Sequence, residues 1–479
     1  MPEGRGLFVG GTSSNAGKSW MVTAICAWLR RRGVSVAPFK AQNMSNNSYP
    51  CTAGGEIGRA QVAQAEACGL EPEPAMNPIL LKPTGQGRSQ VIVNGRAWKT
   101  LAAREYYAAV DELRPHVMAA YADLAGRFDV VVVEGAGSVS ELNLREHDLV
   151  NLGLVAKLGL PWIVVADIER GGVFASVVGT VQLLTPRERE LFRGFAINKF
   201  RGDLTLFDEG VRILEDKTGS NCLGVFPHTS DVHVDAEDSL ALDVRRRTSA
   251  PLGARIAIVR LPHLSNATDF RLLTWADWID APQTQSYDFV VLPGSKNTID
   301  DLGWLRRVGL AHWIHEQHAA GASVVGICGG YQMLGQTVAD PQGVESTSPL
   351  AEGLSLLPAA TVMINTKRTE AVQAVLPNGV RFGGYAIHAG RTTPVDGAEC
   401  QPFATVVGGA PDGMRLGRVT GTYLHGALEN PDVCEHLFGV RPLAAHKQAS
   451  YDRLADWFES HVRYVDRWGL PAFERIISG

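Results

Sequence analysis

Leu7-Phe8-Val9-Gly10-Gly11-Thr12-Ser13-Ser14-Asn15-Ala16-Gly17-Lys18-Ser19 opens as an apolar run, breaks into a turn rich in glycine and serine, and resumes as an amphipathic stretch over 18–32 closed by Gly33. A second apolar run follows at once over 34–39. Strand, tight turn, helix and strand in that order predict a parallel βαβ unit. Further apolar runs at 130–133, 162–166 and 194–197 are unbroken rather than alternating. That pattern belongs to parallel strands covered by helices on both faces. The N-terminal half is therefore expected to be an α/β, doubly wound parallel sheet of the P-loop type.

The turn itself points to phosphate. A strict P-loop runs Gly-x-x-x-x-Gly-Lys-Ser/Thr, which would need glycine at position 12; this chain has Thr12, with Gly11 one residue early. The context is nevertheless that of a phosphate cradle. Backbone N–H groups around Thr12, Asn15, Ala16 and Gly17 can hold phosphate oxygens at the helix start, Lys18 can reach the β- and γ-phosphates, and Ser19 can ligate Mg²⁺. Glu134 ends the apolar run 130–133 and is followed by Gly-Ala-Gly-Ser, the place for a second Mg²⁺ ligand. Asn198, at the end of a later strand, can face the nucleotide base or the substrate.

Length and composition bound the rest. A chain of 479 residues exceeds one core, so about two or three domains are expected. A net charge of −5 is opposed to general nucleic-acid binding, no apolar run reaches a membrane span, and the N-terminus lacks a secretory segment. Seven scattered cysteines without a Cys-x-x-Cys pair suggest neither a disulfide framework nor a zinc site, and a cytoplasmic location is the plain expectation. A polar, Arg- and Pro-containing connector over 242–253 separates a fresh α/β pattern with apolar runs at 255–260, 289–292 and 322–327. Boundaries are expected at 1–243, a linker at 244–252, a second domain at 253–445 and a helical tail at 446–479.

The second half carries its own signature. Gly326-Ile327-Cys328-Gly329-Gly330 follows an apolar run and precedes a helix-like stretch over 331–335, the layout of a nucleophile elbow. The N–H groups of a helix N-terminus favour an anion at the apex. His425, after an apolar stretch at 418–423, is the candidate base; His388 is the competitor. A Cys–His pair can attack a carboxamide, form a thioester and release ammonia. The N–H of Gly329 and the turn around Gly294 are candidates for the oxyanion hole.

These segments together resemble the cobyric acid synthase family, the glutamine-dependent amidotransferases of cobalamin biosynthesis. The likeness runs over nearly the whole chain and rests on the variant P-loop at 11–19, shared with dethiobiotin synthetase-like ligases. It rests equally on Gln42-Asn-Met-Ser-Asn-Asn-Ser48, Asp167-Ile-Glu-Arg-Gly-Gly-Val-Phe-Ala175, Ile197-Asn-Lys-Phe-Arg-Gly-Asp203 and Leu292-Pro-Gly-Ser-Lys-Asn-Thr298. The resemblance implies a C-terminal class I glutamine amidotransferase-like α/β domain with Cys328 as nucleophile and His425 as its partner. It implies ATP- and Mg²⁺-dependent amidation of the b, d, e and g carboxylates of adenosylcobyrinic acid a,c-diamide, giving adenosylcobyric acid, with glutamine and a corrinoid as partners and Asn43 and Asp167 as candidate corrinoid contacts. Ammonia would then travel in a protected passage between domains.

Two positions depart from the family pattern: Ala427 stands where wider triad enzymes place the Glu two residues after the histidine, and Ala386 replaces the Glu of Gly-Tyr-Glu-Ile-His. Glu429 and Asp432 are left as candidates to orient His425. The alternatives are a cobyrinic acid a,c-diamide synthase, or a P-loop switch ATPase with a vestigial second domain.

Overall fold

The computed structural model describes residues 6–52, 54–85, 87–229, 253–395, 398–443, 447–464, 466 and 468. The predicted connector over 242–253 lies outside these residues except for Gly253, as do the tail beyond 468 and 444–446 at the expected second boundary.

Six parallel strands form the first sheet, in the order Cys222–Pro227, Phe192–Phe200, Trp162–Asp167, Gly6–Gly11, Val130–Glu134, Val36–Phe39. Alternate side chains of each strand enter opposite cores. Phe8, Val131, Val133 and Val164 pack with Leu113, Val117 and Leu124 of the helix Val110–Arg127, whereas Leu7, Val9, Val132 and Ile163 face the helix Lys18–Arg31. Both faces are dry, which is why the strands read as continuous apolar runs.

The C-terminal helix Lys447–His461 returns to this N-terminal unit. Phe458 meets Trp28 edge-on at 5.4 Å and stacks on Phe226 at 5.8 Å. Its ion pairs from Arg31 and Arg32 to Glu459 are too exposed to contribute more than about 1 kcal/mol each. Burial of Leu454 and Phe458 contributes about 1.5–3 kcal/mol apiece, so the apolar face holds the helix.

The second sheet runs Asp277–Ile279, Ile256–Val259, Phe289–Leu292, Ser323–Ile327, Val419–Thr422, Met414–Leu416, parallel except for the last strand. In both sheets the loops that carry candidate chemistry leave from the carboxyl ends of the parallel strands.

The two units meet through polar and aromatic contacts. Tyr49 lies edge-on to Tyr385 at 4.9 Å, Arg59 pairs with Glu429 at 2.9 Å, and Lys367 with Glu56 at 2.5 Å. Lys367 and Lys82 hold the buried Glu56 carboxyl well below the usual range, although burial alone would raise it. Among the described residues no helix is long and apolar enough to cross a membrane.

Candidate active site

Cys328 sits between the strand Ser323–Ile327 and the helix Gly329–Leu334 with φ 52 and ψ −109. A non-glycine residue in that region is strained and persists only where its surroundings dictate it. The surroundings here are backbone. A Cβ on Gly330 would lie 2.0 Å from the Leu292 carbonyl oxygen, so no larger residue fits the crossing of helix and strand. Cys328 is buried, with Sγ 3.6 Å from the Ile387 carbonyl oxygen. The Pro293–Thr298 turn packs directly beside it: a Cβ on Gly329 would meet Ser295 N at 2.7 Å, and one on Gly294 would meet His425 Cε1 at 3.1 Å. Gly294, Gly329, Cys328 and His425 therefore converge on one edge of the sheet.

His425 is fully buried and bonded on both nitrogens. Its Nδ1 lies 2.7 Å from Asp269 Oδ2, and Asp269 Oδ1 accepts the Gly426 N–H at 2.7 Å. Its Nε2 lies 3.1 Å from Asn266 Nδ2. Burial lowers the imidazole's proton affinity, but the Asp269 carboxylate and a Cys328 thiolate, each within hydrogen-bond reach of the ring, outweigh it and raise the pKa to about 10, so once the thiolate forms the ring keeps its proton.

The candidates Glu429 and Asp432 do not reach this ring. Glu429 is held between Arg59 and Arg271, and Asp432 pairs with Arg441. Asp269 occupies the place instead. It lies 156 residues before His425, on the one-turn helix Ala267–Phe270 in the long loop between the strands Ile256–Val259 and Asp277–Ile279, and no local motif marks it. The one available signal was that loop's position at the carboxyl edge of the sheet.

His388 stands in a different state. Its Nδ1 donates to the Gly390 carbonyl at 2.7 Å, its ring stacks on Tyr423 at 3.7 Å, and its Nε2 has no partner among the described residues. Burial, only partly offset by the Gly390 bond, lowers its pKa to about 4, so it is neutral at pH 7. The folded value lies below that of a free imidazole, so the unfolded chain binds the proton more readily between pH 6.5 and 4. The stability tied to neutral His388 is whole above pH 6.5 and is lost as pH falls toward 4. At pH 5 the loss is on the order of 2 kcal/mol. His388→Phe keeps the stacking and is expected to narrow the gap in denaturant midpoint between pH 7 and pH 5; an unchanged gap would contradict this assignment.

The other half assembles around the loop after Gly6–Gly11. Asn15 has φ 60 and Gly17 φ 98, and a Cβ on Gly17 would lie 2.0 Å from Asn198 Nδ2. Thr12 N–H donates to the Val165 carbonyl at 3.0 Å. Asn198 Nδ2 donates to the Ala16 carbonyl at 3.0 Å, and Lys199 Nζ to the Asn15 carbonyl at 2.6 Å, so the strand end braces the loop. Asn198 thus braces the loop through one N–H, and its Oδ1 is not engaged by that bond.

Lys18 Nζ donates across the loop mouth to the carbonyls of Ser13 and Gly137, at 3.1 and 2.8 Å. Ser19 Oγ lies 2.8 Å from Glu134 Oε1, and Lys40 Nζ 2.9 Å from the same oxygen. Burial would raise the Glu134 carboxyl, but Lys40, Gln64 and Ser19 outweigh it and hold it below the usual range. A hydroxyl and a carboxylate within one hydrogen bond of each other fit the small share of ligands that protein gives Mg²⁺ beside a polyphosphate. Lys40 was not anticipated, although it directly follows the predicted strand 34–39.

Asp167 pairs with Lys199 at 2.8 Å. The Asn43 carboxamide donates to Gln61 Oε1 and accepts the Met44 N–H, both at 2.8 Å, which fixes its orientation.

Residues 7–241 match the CobQ/CobB/MinD/ParA nucleotide binding domain, and residues 255–433 match the CobB/CobQ-like glutamine amidotransferase domain. A nucleotide-binding unit joined to a glutaminase-type unit defines a glutamine-dependent amidating ligase.

Three curated relatives are each named cobyric acid synthase. The relative from Parabacteroides distasonis is 44% identical over 95% of this chain and 96% of its own, and that from Syntrophobacter fumaroxidans 44% over 96% and 97%. The relative from Mycolicibacterium vanbaalenii is 46% identical over 95% and 94%. The chain belongs to the cobyric acid synthase family.

Proposed function

We propose that this enzyme uses ATP and glutamine to amidate the b, d, e and g carboxylates of adenosylcobyrinic acid a,c-diamide, yielding adenosylcobyric acid. The unit within 1–243 would be the ligase, 253–445 the glutaminase and 446–479 a docked tail. The convergence of Cys328, His425 and Asp269 at one sheet edge, in the same chain as the Lys18 loop, is the observation that supports this most.

In the glutaminase, His425 Nε2 takes the Sγ proton and the thiolate attacks the glutamine carboxamide carbon. The N–H groups at Gly329 and Gly294 face the developing oxyanion. Asp269 keeps the ring's proton on Nδ1 and steadies the imidazolium. His425 then returns the proton to the leaving nitrogen, ammonia departs, and water hydrolyses the thioester to glutamate.

In the ligase a carboxylate resists attack by an amine until ATP converts it to an acyl phosphate, from which ammonia displaces phosphate. Lys18 and the loop N–H groups from Asn15 to Ser19 would hold the transferring phosphate, whereas the Thr12 N–H is spent on the Val165 carbonyl. Ser19 and Glu134 would hold Mg²⁺, which when bound neutralises phosphate charge. Lys40 shares the Glu134 oxygen and would keep that carboxylate oriented. Ammonia would pass between the halves without leaving to water, where it would be protonated.

Incubation of the a,c-diamide with ATP, Mg²⁺ and glutamine, followed by mass spectrometry of the corrinoid, is expected to show four amides added. Inert a,c-diamide together with amidation of unamidated cobyrinic acid at two positions would instead identify an a,c-diamide synthase.

A further inference from the structure

Asn266 lies where the two units touch. It is buried and has φ 53, a left-handed conformation that asparagine tolerates better than most residues. Its backbone N–H donates to Asn47 Oδ1 at 2.7 Å, and its side-chain Oδ1 accepts the Ser48 N–H at 3.3 Å, both across the interface. Because the Ser48 N–H can only donate, the amide end facing it is the oxygen. The end facing His425 is therefore the NH₂, 3.1 Å from Nε2.

An NH₂ donor at that distance needs a lone pair on Nε2, so the ring it touches is neutral with its proton on Nδ1, against Asp269. The engaged lone pair is the one that must receive the Cys328 proton. Once Nε2 is protonated it faces the amide donor to donor, and the carboxamide has to turn away. The two arrangements exclude each other.

Asn47 and Ser48 are tied in turn to the ligase unit. Ser48 Oγ donates to Glu56 at 2.8 Å and accepts from Lys82 at 2.6 Å. The same segment continues from Lys40, whose ammonium lies on Glu134 in the phosphate site. Lys40 is the point at which a ligand on Glu134 would first be felt by the segment that leads to Asn47.

Resting on the assignment of Cys328 and His425 as the glutaminase pair, we propose that Asn266 is a positioning residue coupling the two half-reactions: Asn47 and Ser48 hold its carboxamide on His425 Nε2 until the ligase site fills, and its withdrawal frees Nε2 for the thiol. On release the Sγ–H bond breaks and an Nε2–H bond forms. The thiolate and imidazolium balance in charge, and no outside proton is required. The bistable element is the Asn266 amide against the protonation state of one ring, which both sites bias.

The test measures glutamine hydrolysis without and with ATP, Mg²⁺ and the a,c-diamide, in the wild type, in Asn266→Gly (which accepts φ 53 without strain) and in Asn47→Ala. In the wild type the ligands are expected to stimulate kcat by about 10-fold or more, a change of about 1.4 kcal/mol in the barrier. In both variants the unstimulated kcat rises toward the stimulated value and the ratio falls to near one, with KM for glutamine little changed. A ratio equal to the wild type's, or an equal fall of both rates, overturns the proposal. Ammonia-driven amidation in the same samples reports separately on the ligase. If it fails in the wild type, the function proposed above is wrong; if it succeeds while the ratios do not move, only the role of Asn266 is.

Discussion

Replacing Cys328 by alanine is expected to lower glutamine-driven amidation by at least about 10⁴-fold while ammonia-driven amidation continues. The size follows from covalent catalysis. Without Sγ there is no thioester, and neither an oxyanion hole nor a base can compensate for a missing nucleophile. The substitution is sterically mild, because alanine is smaller and Cys328 already holds a conformation with φ 52 that alanine would share. Ammonium salts at alkaline pH bypass the glutaminase, so product formed from them shows that the ligase half is folded. Glutamine-driven turnover that survives in Cys328→Ala would remove the thiol from the mechanism and favour a vestigial second domain.

Asp269→Asn should cost about 10²- to 10⁴-fold in kcat for glutamine hydrolysis, with a small change in KM. Both neighbours of the Asp269 carboxylate are arranged as donors: Gly426 N–H to Oδ1 and His425 Nδ1 to Oδ2. An asparagine has one oxygen and one NH₂ to offer. Gly426 can only donate, so the oxygen must stay with it and the NH₂ is forced onto Nδ1. The ring then carries its proton on Nε2, the wrong tautomer to accept one from Cys328. Asp269→Glu, which retains acceptors on both oxygens, should recover part of the rate. A kcat within a few-fold of wild type in Asp269→Asn would show that the ring is oriented by something else.

How much of this was legible beforehand differs between the two halves. The Lys18 loop and Glu134 are local to strand ends that announce themselves as unbroken apolar runs, and the elbow around Cys328 is written in consecutive glycines. The strands came out close to their expected bounds because each is buried on both faces, the condition that leaves the clearest mark on composition. The partner of His425 was not legible. Glu429 and Asp432 were candidates only because they are near in sequence, and the fold sends both into arginine pairs.

By itself, the sequence determined the two α/β units, the strand–turn–helix layouts around Lys18 and Cys328 and membership of the family, since each depends on neighbours a few residues apart or on long segments that match as written. Only the tertiary structure decided which carboxylate faces His425, what Asn198 and Lys40 touch around the Lys18 loop, and that Asn266 lies between the two units against His425. Those contacts bring together the carboxyl ends of parallel strands. Strands adjacent in such a sheet are separated in the chain by whole crossover segments, so their loops share an edge without sharing any sequence spacing.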